Sequence, residues 1–304
     1  MNESPAWQIK LSFLLLRLAA RLPLGLLRAV GRGFGTLVWW GNAKRRHVTQ
    51  VNLGIAFPDW TPAQVRACAK LHLQLMGVCL LDRVWLWFAP LPVVYGRIQS
   101  TGFEHLSTHS ERAQPTLLLV PHMVGLEAAG PAWVAACLVR GLPAPRFCTV
   151  FQAPSSPTQE AIFRVGRGRY TDTTQYTRAQ GIRPIVKGMR EGRAFYCLPD
   201  NDFGAKDALF IPWFGLPAAT VTVIPRLSRL VNAQVYALRV QLSPTGYTVS
   251  ASPAWAAEIL ADDTLGCAHM NTLIEGWARA TPAEYMFSHR RYKTRPEGAP
   301  SVYD

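Results

Sequence analysis

Residues 116–127 read TLLLVPHMVGLE, and the fold prediction starts from this stretch. Its first five residues form a short apolar run with the length of a buried strand, and a proline and a histidine follow where that strand must end. Helical patterns and further short apolar runs alternate after it. Such alternation predicts an α/β fold, a mixed central sheet flanked by helices.

Outward from this strand, the pattern predicts a helix over 123–139, a helix over 182–190 and a strand over 194–198. A helix over 221–230 then precedes a strand over 234–240, and a strand over 247–250 pairs beside it. Upstream, Thr61, Pro62 and Gln64 have the spacing of a capping box with proline at the first helical position, so we expect a long helix from there through Phe88.

His122 and Glu127 are the first candidate catalytic residues. A histidine just after a strand, with a glutamate about one turn into the next helix, can bring imidazole and carboxylate into contact. The carboxylate would then orient the ring while its other nitrogen accepts a proton from a substrate hydroxyl. Seven histidines and 19 acidic residues in 304 positions give about 0.4 chance matches to this spacing. From the residues alone, a structural histidine and a catalytic one both remain open.

Two further clusters could line a site. Residues 164–170, RVGRGRY, carry three arginines that could bind phosphate or carboxylate groups, or form a solvated basic loop. Residues 198–204, LPDNDFG, follow a predicted strand; their two carboxylates could bind a metal or position a base, although the sequence is also ordinary turn chemistry.

The charge balance points to an anionic partner. Lysine and arginine number 32 against 19 acidic residues, a formal net charge of +13. In residues 1–46 eight basic residues alternate with leucine and tryptophan, and only Glu3 opposes them. The apolar runs are shorter than the roughly 20 residues that a membrane-spanning helix needs, and arginines interrupt what would be a signal peptide.

We therefore predict two parts, an amphipathic segment over 1–46 that lies in the membrane interface and a catalytic domain over 47–304. The alternative for the first part is a helix docked on the domain, with arginines that reach out to solvent. The six cysteines are widely spaced in apolar runs, which favours reduced, buried thiols over a zinc site.

Several motifs occur in an order that resembles the late acyltransferases of lipid A biosynthesis, which belong to the lysophospholipid acyltransferase superfamily. They are Asn52-x4-Phe57-Pro58, the His122-x4-Glu127 pair, the arginine cluster, PDxDxG at 199–204, IPxFG at 211–215 with AAT at 218–220, Pro282-x2-Tyr285 and the closing block HRRYKTRPEG at 289–298. The closing block is far more specific than the histidine and glutamate spacing.

The resemblance implies a glycerol-phosphate-acyltransferase-like fold and an O-acyltransferase that needs no cofactor and no metal. It implies transfer of an acyl chain from acyl carrier protein, or less often a coenzyme A thioester, to a hydroxyl of the lipid A precursor at the cytoplasmic face of the inner membrane. His122 would be the general base and Glu127 its orienting partner. Arg167, Arg169 and Asp200 would line the substrate site.

Two rival functions remain at this stage. One keeps the reaction but changes the acceptor to a glycerophospholipid or another membrane lipid. The other is a catalytically inactive, membrane-associated interaction protein, against which the His122 and Glu127 pair argues. A nucleic-acid-binding role is disfavoured because the basic residues gather with tryptophan and leucine at one end and no recognition motif is present.

Overall fold

The computed structural model describes residues 6–112, 114–152, 154 and 156–304. The helices are α1 Ala6–Ala19, α2 Leu24–Gly41, α3 Ala43–Ala56, α4 Pro62–Phe88, α5 Leu91–Tyr95, α6 Ser107–Arg112, α7 Ala129–Val139, α8 Pro157–Gly168, α9 Arg183–Arg190, α10 Val223–Val231, α11 Ala257–Ala261 and α12 Asp263–Ala280. The strands are β1 Ile98–Thr101, β2 Thr116–Leu119, β3 Arg146–Phe151, β4 Thr173–Thr177, β5 Arg193–Cys197, β6 Ala208–Trp213, β7 Leu216–Val221, β8 Gln234–Ser243 and β9 Gly246–Ala251.

In the part of the chain that the structure describes, seven strands form the central sheet, in the order β1-β9-β8-β2-β5-β3-β4. From β8 to β4 all neighbours are parallel, whereas β8 and β9 pair antiparallel as a hairpin. The predicted mixed sheet with flanking helices is therefore confirmed. Because β2, β3, β4, β5 and β8 run in the same direction, their carboxyl ends lie along one edge, which is where α/β sheets bind ligands.

Strand β2 lies at the centre of this sheet and is covered on both faces. Leu117 and Leu119 pack into one hydrophobic cluster, while Leu118 and Val120 pack into another on the opposite face. This division follows from the alternation of side chains along a strand. A continuous apolar run is the pattern expected of a parallel strand that is buried twice.

Helix α4 begins as predicted. The Thr61 hydroxyl accepts from the backbone N–H of Gln64, and the Gln64 side chain accepts from the backbone N–H of Thr61. Helix α2 packs tightly across it, since a Cβ added to Gly35 would lie 2.3 Å from the Leu73 carbonyl oxygen. Buried Arg28 on α2 also donates to Asp82 of α4 at 2.9 Å.

The predicted segment over 1–46 falls on α1, α2 and the start of α3, and its first five residues lie outside the described part of the chain. The inner side of α2 is buried against the domain. The outer sides of α1 and α2 carry exposed apolar side chains at helical spacing: Leu11, Leu14, Leu15 and Leu18, then Leu26, Val30, Phe34 and Leu37. In the described residues no helix has the length and apolarity to cross a bilayer.

The helix predicted over 123–139 is shorter than expected, because α7 begins only at Ala129. Gly125 has a φ of +84° and ends any helical continuation from the residues before it. The backbone before Gly125 is hydrogen-bonded to the carboxyl-terminal segment instead. The Val124 N–H donates to the Glu284 carbonyl at 2.6 Å, and the Met286 N–H donates to the His122 carbonyl at 3.0 Å.

His72 fastens α4 to that same segment. Its Nδ1 lies 3.0 Å from the Ala283 carbonyl oxygen and its Nε2 lies 3.1 Å from the Ser288 hydroxyl. A neutral ring satisfies both contacts, because it donates from Nδ1 to the carbonyl and accepts from the hydroxyl. Complete burial lowers the pKa of His72 to about 4.

This shift predicts a loss of stability in mild acid. Below pH 6.5 the His72 ring is protonated in the unfolded chain, whereas in the folded protein it stays neutral until about pH 4. The free energy of unfolding therefore falls as the pH is lowered from 6.5 to about 4. The contribution of His72 is on the order of 3 kcal/mol. Urea titrations at pH 7 and pH 4.5 should show a smaller pH effect in His72→Gln than in the wild type, while exposed His105→Gln should follow the wild type. An equal pH effect in all three proteins would contradict this role.

Candidate active site

His122 and Asp200 meet at the carboxyl edge of the sheet. Leu119 of β2 is paired in register with Cys197 of β5, and each of the two functional residues follows three positions later. The His122 Nδ1 lies 2.7 Å from Asp200 Oδ1, and the His122 backbone N–H donates to Asp200 Oδ2 at 2.9 Å. The carboxylate thus fixes both the backbone and the ring of the histidine.

The charge state of Asp200 suits this contact. Burial raises the pKa of the carboxyl group, but the positive charge and hydrogen bonds of His122 outweigh burial and hold the pKa below its usual range. Asp200 is therefore an acceptor at neutral pH, and the His122 Nδ1 carries the shared hydrogen. When the ring is neutral, its lone pair consequently lies on Nε2, the atom that can take a proton from a substrate.

The prediction that Glu127 contacts His122 is wrong. Glu127 lies in a short 3-10 turn, and its carboxylate is bonded to Arg167 of α8, with an Nη2 to Oε1 distance of 2.6 Å. The spacing predicted that Glu127 lies one helical turn beyond His122. This is not observed, because Gly125 adopts a positive φ and α7 begins only at Ala129. The Arg167 charge and hydrogen bonds lower the pKa of Glu127 although burial alone would raise it.

Arg169 also differs from expectation. Its guanidinium donates to the carbonyl oxygens of Leu86 and Ala89 at 3.1 and 2.6 Å, at the end of α4. It satisfies helix carbonyls that have no partner within the helix, and it is not among the residues of the cavity beside His122. The third arginine of the cluster, Arg164, pairs with Glu160 on the exposed surface of α8.

A cavity of about 590 Å³ opens beside His122. Its polar lining includes His122, Glu127, Arg167, Asn201 and Arg83. Its wall is mainly apolar and includes Trp87, Leu126, Phe147, Phe151, Phe163 and Phe195. A mostly hydrophobic cavity with few polar groups is typical of sites that enclose a small apolar ligand. Of the residues predicted to line the substrate site, Arg167 lines this cavity. Asp200 does not line it but contacts His122, which does.

Sequence reasoning missed two neighbours of the base. Asn201 Nδ2 lies 3.3 Å from His122 Nε2. The only sequence signal for Asn201 was its place in the turn motif at 198–204. The His289 ring lies 5.7 Å from the His122 ring, measured between centroids. Burial and the charge of a protonated His122 lower the pKa of His289 to about 4, so it stays neutral at neutral pH.

The arrangement is suited to proton transfer next to an apolar ligand. A carboxylate orients an imidazole that borders an apolar cavity, and the second ring nitrogen lies beside Asn201, another residue of the cavity lining. Such a pair can remove a proton from a hydroxyl group and return it to a leaving group.

Comparison with known proteins agrees with this chemistry. The family model for bacterial lipid A biosynthesis acyltransferases matches residues 4–294. The chain is similar to the lipid A biosynthesis lauroyltransferase of Escherichia coli (strain K12), with 26% identity over 98% of this chain and 95% of the relative. It is also similar to the lipid A biosynthesis myristoyltransferase of the same organism, with 24% identity over 91% of this chain and 83% of the relative. Among solved structures it is similar to the 1-acyl-sn-glycerophosphate acyltransferase PlsC from Thermotoga maritima, with 8% identity, a TM-score of 0.39 and coverage of 86% of this chain and 98% of the other.

Proposed function

The chain belongs to the bacterial lipid A biosynthesis acyltransferases, and we propose that it transfers a fatty acyl group from a thioester to a hydroxyl of a lipid A precursor, in lipopolysaccharide biosynthesis. The observation that carries the proposal is the His122 ring, held by Asp200 at a distance of 2.7 Å and open to the cavity. The apolar cavity suits an acyl chain, and the polar groups gathered around His122 suit the reacting atoms.

His122 is the general base in this proposal, and Asp200 is its positioning residue. The acceptor hydroxyl donates to Nε2, and its oxygen attacks the thioester carbonyl carbon as the proton moves to the ring. Asp200 stabilises the resulting imidazolium without taking the proton itself. When the carbon–sulfur bond breaks, the imidazolium returns the proton to the leaving thiolate.

Glu127 and Arg167 act as a second unit that shapes the cavity. Arg167 is half-buried, and its guanidinium is fixed by two-pronged contacts to the Glu127 carboxylate. Arg83 also lines the cavity and contributes positive charge near Glu127. Two guanidinium groups around one carboxylate leave a net positive field, which favours anionic parts of the substrates.

We propose acyl carrier protein as the donor, with a coenzyme A thioester as the alternative. The formal net charge of +13 supports an acidic partner. The exposed basic side chains Arg178 and Lys206 belong to the loops that follow β4 and β5, at the carboxyl edge that also carries His122. An acidic carrier would meet attractive charge on this side of the sheet.

We also propose that the protein binds the cytoplasmic face of the inner membrane through the apolar outer sides of α1 and α2. Exposed lysines and arginines on these helices and in the turn between them include Lys10, Arg17, Arg21 and Arg32. Apolar side chains enter the interface while basic ones meet anionic headgroups, each contributing about 1 kcal/mol near the surface. This position brings the enzyme to an acceptor that resides in the bilayer.

Charged substitutions on this surface should weaken membrane binding. In Leu15→Glu/Leu37→Glu two side chains that enter the interface become acidic, and each apolar side chain contributes up to about 1.5–3 kcal/mol when buried. We expect at least tenfold weaker sedimentation with vesicles that contain anionic lipid. The matched control, Val139→Glu/Leu265→Glu, changes two other exposed apolar residues, which lie on α7 and α12. Equal binding by both double variants would contradict the proposed surface.

The function itself is tested by transfer of a radiolabelled acyl group with purified protein. Acyl carrier protein and coenzyme A thioesters are offered in turn, with either a lipid A precursor bearing a free hydroxyl or a lysophospholipid as acceptor. The proposal expects transfer to the lipid A precursor, with the carrier-protein thioester preferred. Transfer to the lysophospholipid alone would establish the rival acceptor, and no transfer at all would favour the inactive interaction protein.

A further inference from the structure

Asn201 occupies the position beside the reacting nitrogen of His122. Its Nδ2 lies 3.3 Å from His122 Nε2. Because the Nδ1 hydrogen is directed to Asp200, Nε2 presents a lone pair, and only the amide nitrogen of asparagine can donate to it. The same lone pair must accept the hydrogen of the acceptor hydroxyl, so the amide and the substrate compete for one atom.

The backbone of Asn201 is held on both sides. Before it, Asp200 is bonded to the backbone and ring of His122. After it, Asp202 accepts from the Thr294 backbone N–H at 2.6 Å and from the Thr294 hydroxyl at 2.8 Å. When the substrate displaces the amide from Nε2, only the side-chain torsions of Asn201 are free to change, so its amide remains close to the reacting atoms.

Three other polar side chains of the cavity are bonded to the protein itself, whereas the buried Nε of Arg83 has no hydrogen-bond partner in the described residues. Arg167 is bonded to Glu127, the Tyr196 hydroxyl donates to the Leu126 carbonyl oxygen at 2.6 Å, and the Thr149 hydroxyl donates to the Tyr196 carbonyl oxygen at 3.0 Å. The Asn201 amide differs from these groups because its partner atom is consumed by the reaction. It becomes a donor without an acceptor at the moment when negative charge develops nearby.

We propose that Asn201 is a further catalytic residue, whose amide donates a hydrogen bond to the thioester carbonyl oxygen as that oxygen gains negative charge. The inference rests on the proposed acyl transfer. The attacking oxygen sits at hydrogen-bond distance from Nε2, and the carbonyl group is bonded to that oxygen in the intermediate. A donor that started beside Nε2 is therefore within reach of the oxyanion, which is the geometry that donors of this kind require.

The step is balanced in atoms and charge. The hydroxyl oxygen forms a bond to the carbonyl carbon, its proton passes to Nε2, and the carbonyl π electrons move to the oxygen that Asn201 then holds. The electrons return as the carbon–sulfur bond breaks, and the thiolate takes the proton from the imidazolium. The products are an ester and a thiol, and His122 and Asn201 recover their starting states.

The test compares Asn201→Ala and Asn201→Asp with the wild type. Loss of one oxyanion donor lowers kcat by about 100- to 1000-fold in other enzymes, so we expect such a fall at saturating substrates, with KM for both substrates changed by less than about threefold. Asn201→Asp should be at least as slow, because it replaces the donor with a negative charge. Binding of a non-reactive thioether analogue of the donor should be unchanged in both variants.

Asn232→Gly is the matched control, since Asn232 is an exposed asparagine that ends α10 with a φ of +51°. It should retain wild-type kcat. A kcat for Asn201→Ala within threefold of the wild type would overturn the inference, as would a rise in KM or weaker analogue binding without a fall in kcat. Failure of the proposed function is distinguishable, because the wild type would then transfer no acyl group and His122→Ala would match it.

Discussion

Replacing His122 with alanine should lower kcat by about 100- to 10,000-fold, because that range is what general-base assistance supplies. The fold should remain intact, since the ring borders a cavity at the end of a strand and is 16% exposed. Acyl transfer is the measurement, with circular dichroism as the check on folding. Exposed His105→Ala is the matched control and should keep wild-type kcat.

Asp200 should behave as part of the same unit. Asp200→Ala removes the acceptor that fixes the Nδ1 hydrogen and the backbone of His122. The double variant should be little slower than His122→Ala, because residues that act together are strongly non-additive. A folded His122→Ala protein that loses less than tenfold in kcat would contradict the assignment of the base.

Breaking the Glu127 and Arg167 pair should produce the largest loss of stability. The Glu127 side chain is 7% exposed and that of Arg167 is 24% exposed. Removing one partner of a fully buried pair typically costs about 3–5 kcal/mol. The cost here should be lower, because Arg167 is only half-buried and Arg83 also contributes positive charge near Glu127. We therefore expect Glu127→Gln and Arg167→Met each to lower the urea midpoint clearly.

Three comparisons make this expectation specific. Glu127→Gln/Arg167→Met should recover much of the loss, because neither charge then remains unpaired. Glu160→Gln, in the exposed pair with Arg164, should cost less than about 1 kcal/mol. Because folding lowers the pKa of Glu127, the pair stabilises the protein at pH values above about 4.3, the pKa of glutamate in the unfolded chain. This stabilisation is lost as the pH falls through the pKa of Glu127 in the folded protein. An unchanged midpoint for Glu127→Gln at pH 7 would rule out a stabilising pair.

Local patterns predicted the centre of the molecule well. The apolar run at β2, the capping box at Thr61 and the hairpin of β8 and β9 each depend on residues close in sequence, and all three are observed. Strand β4, with the sequence TTQYT, was not predicted, because an edge strand that is half-buried lacks a distinctive apolar pattern.

The partner of His122 could not be predicted from spacing. Asp200 lies 78 positions later, and it reaches His122 only because β5 is the neighbour of β2 in the sheet. Glu127 is nearer in sequence, yet Gly125 turns the chain and Arg167 takes its carboxylate. Arg169 lies in an arginine-rich cluster of the kind that binds phosphate groups. Its guanidinium instead donates to carbonyl oxygens at the end of α4, and this contact depends on how α4 and α8 pack.

The most direct test of the central claim is mass spectrometry of lipid A from cells that lack this protein and express either the wild type or His122→Ala. If the chain acylates a lipid A precursor through His122, the wild type adds the mass of one fatty acyl group to lipid A, and His122→Ala leaves the precursor mass unchanged. Identical lipid A spectra with and without the wild-type protein would contradict the account.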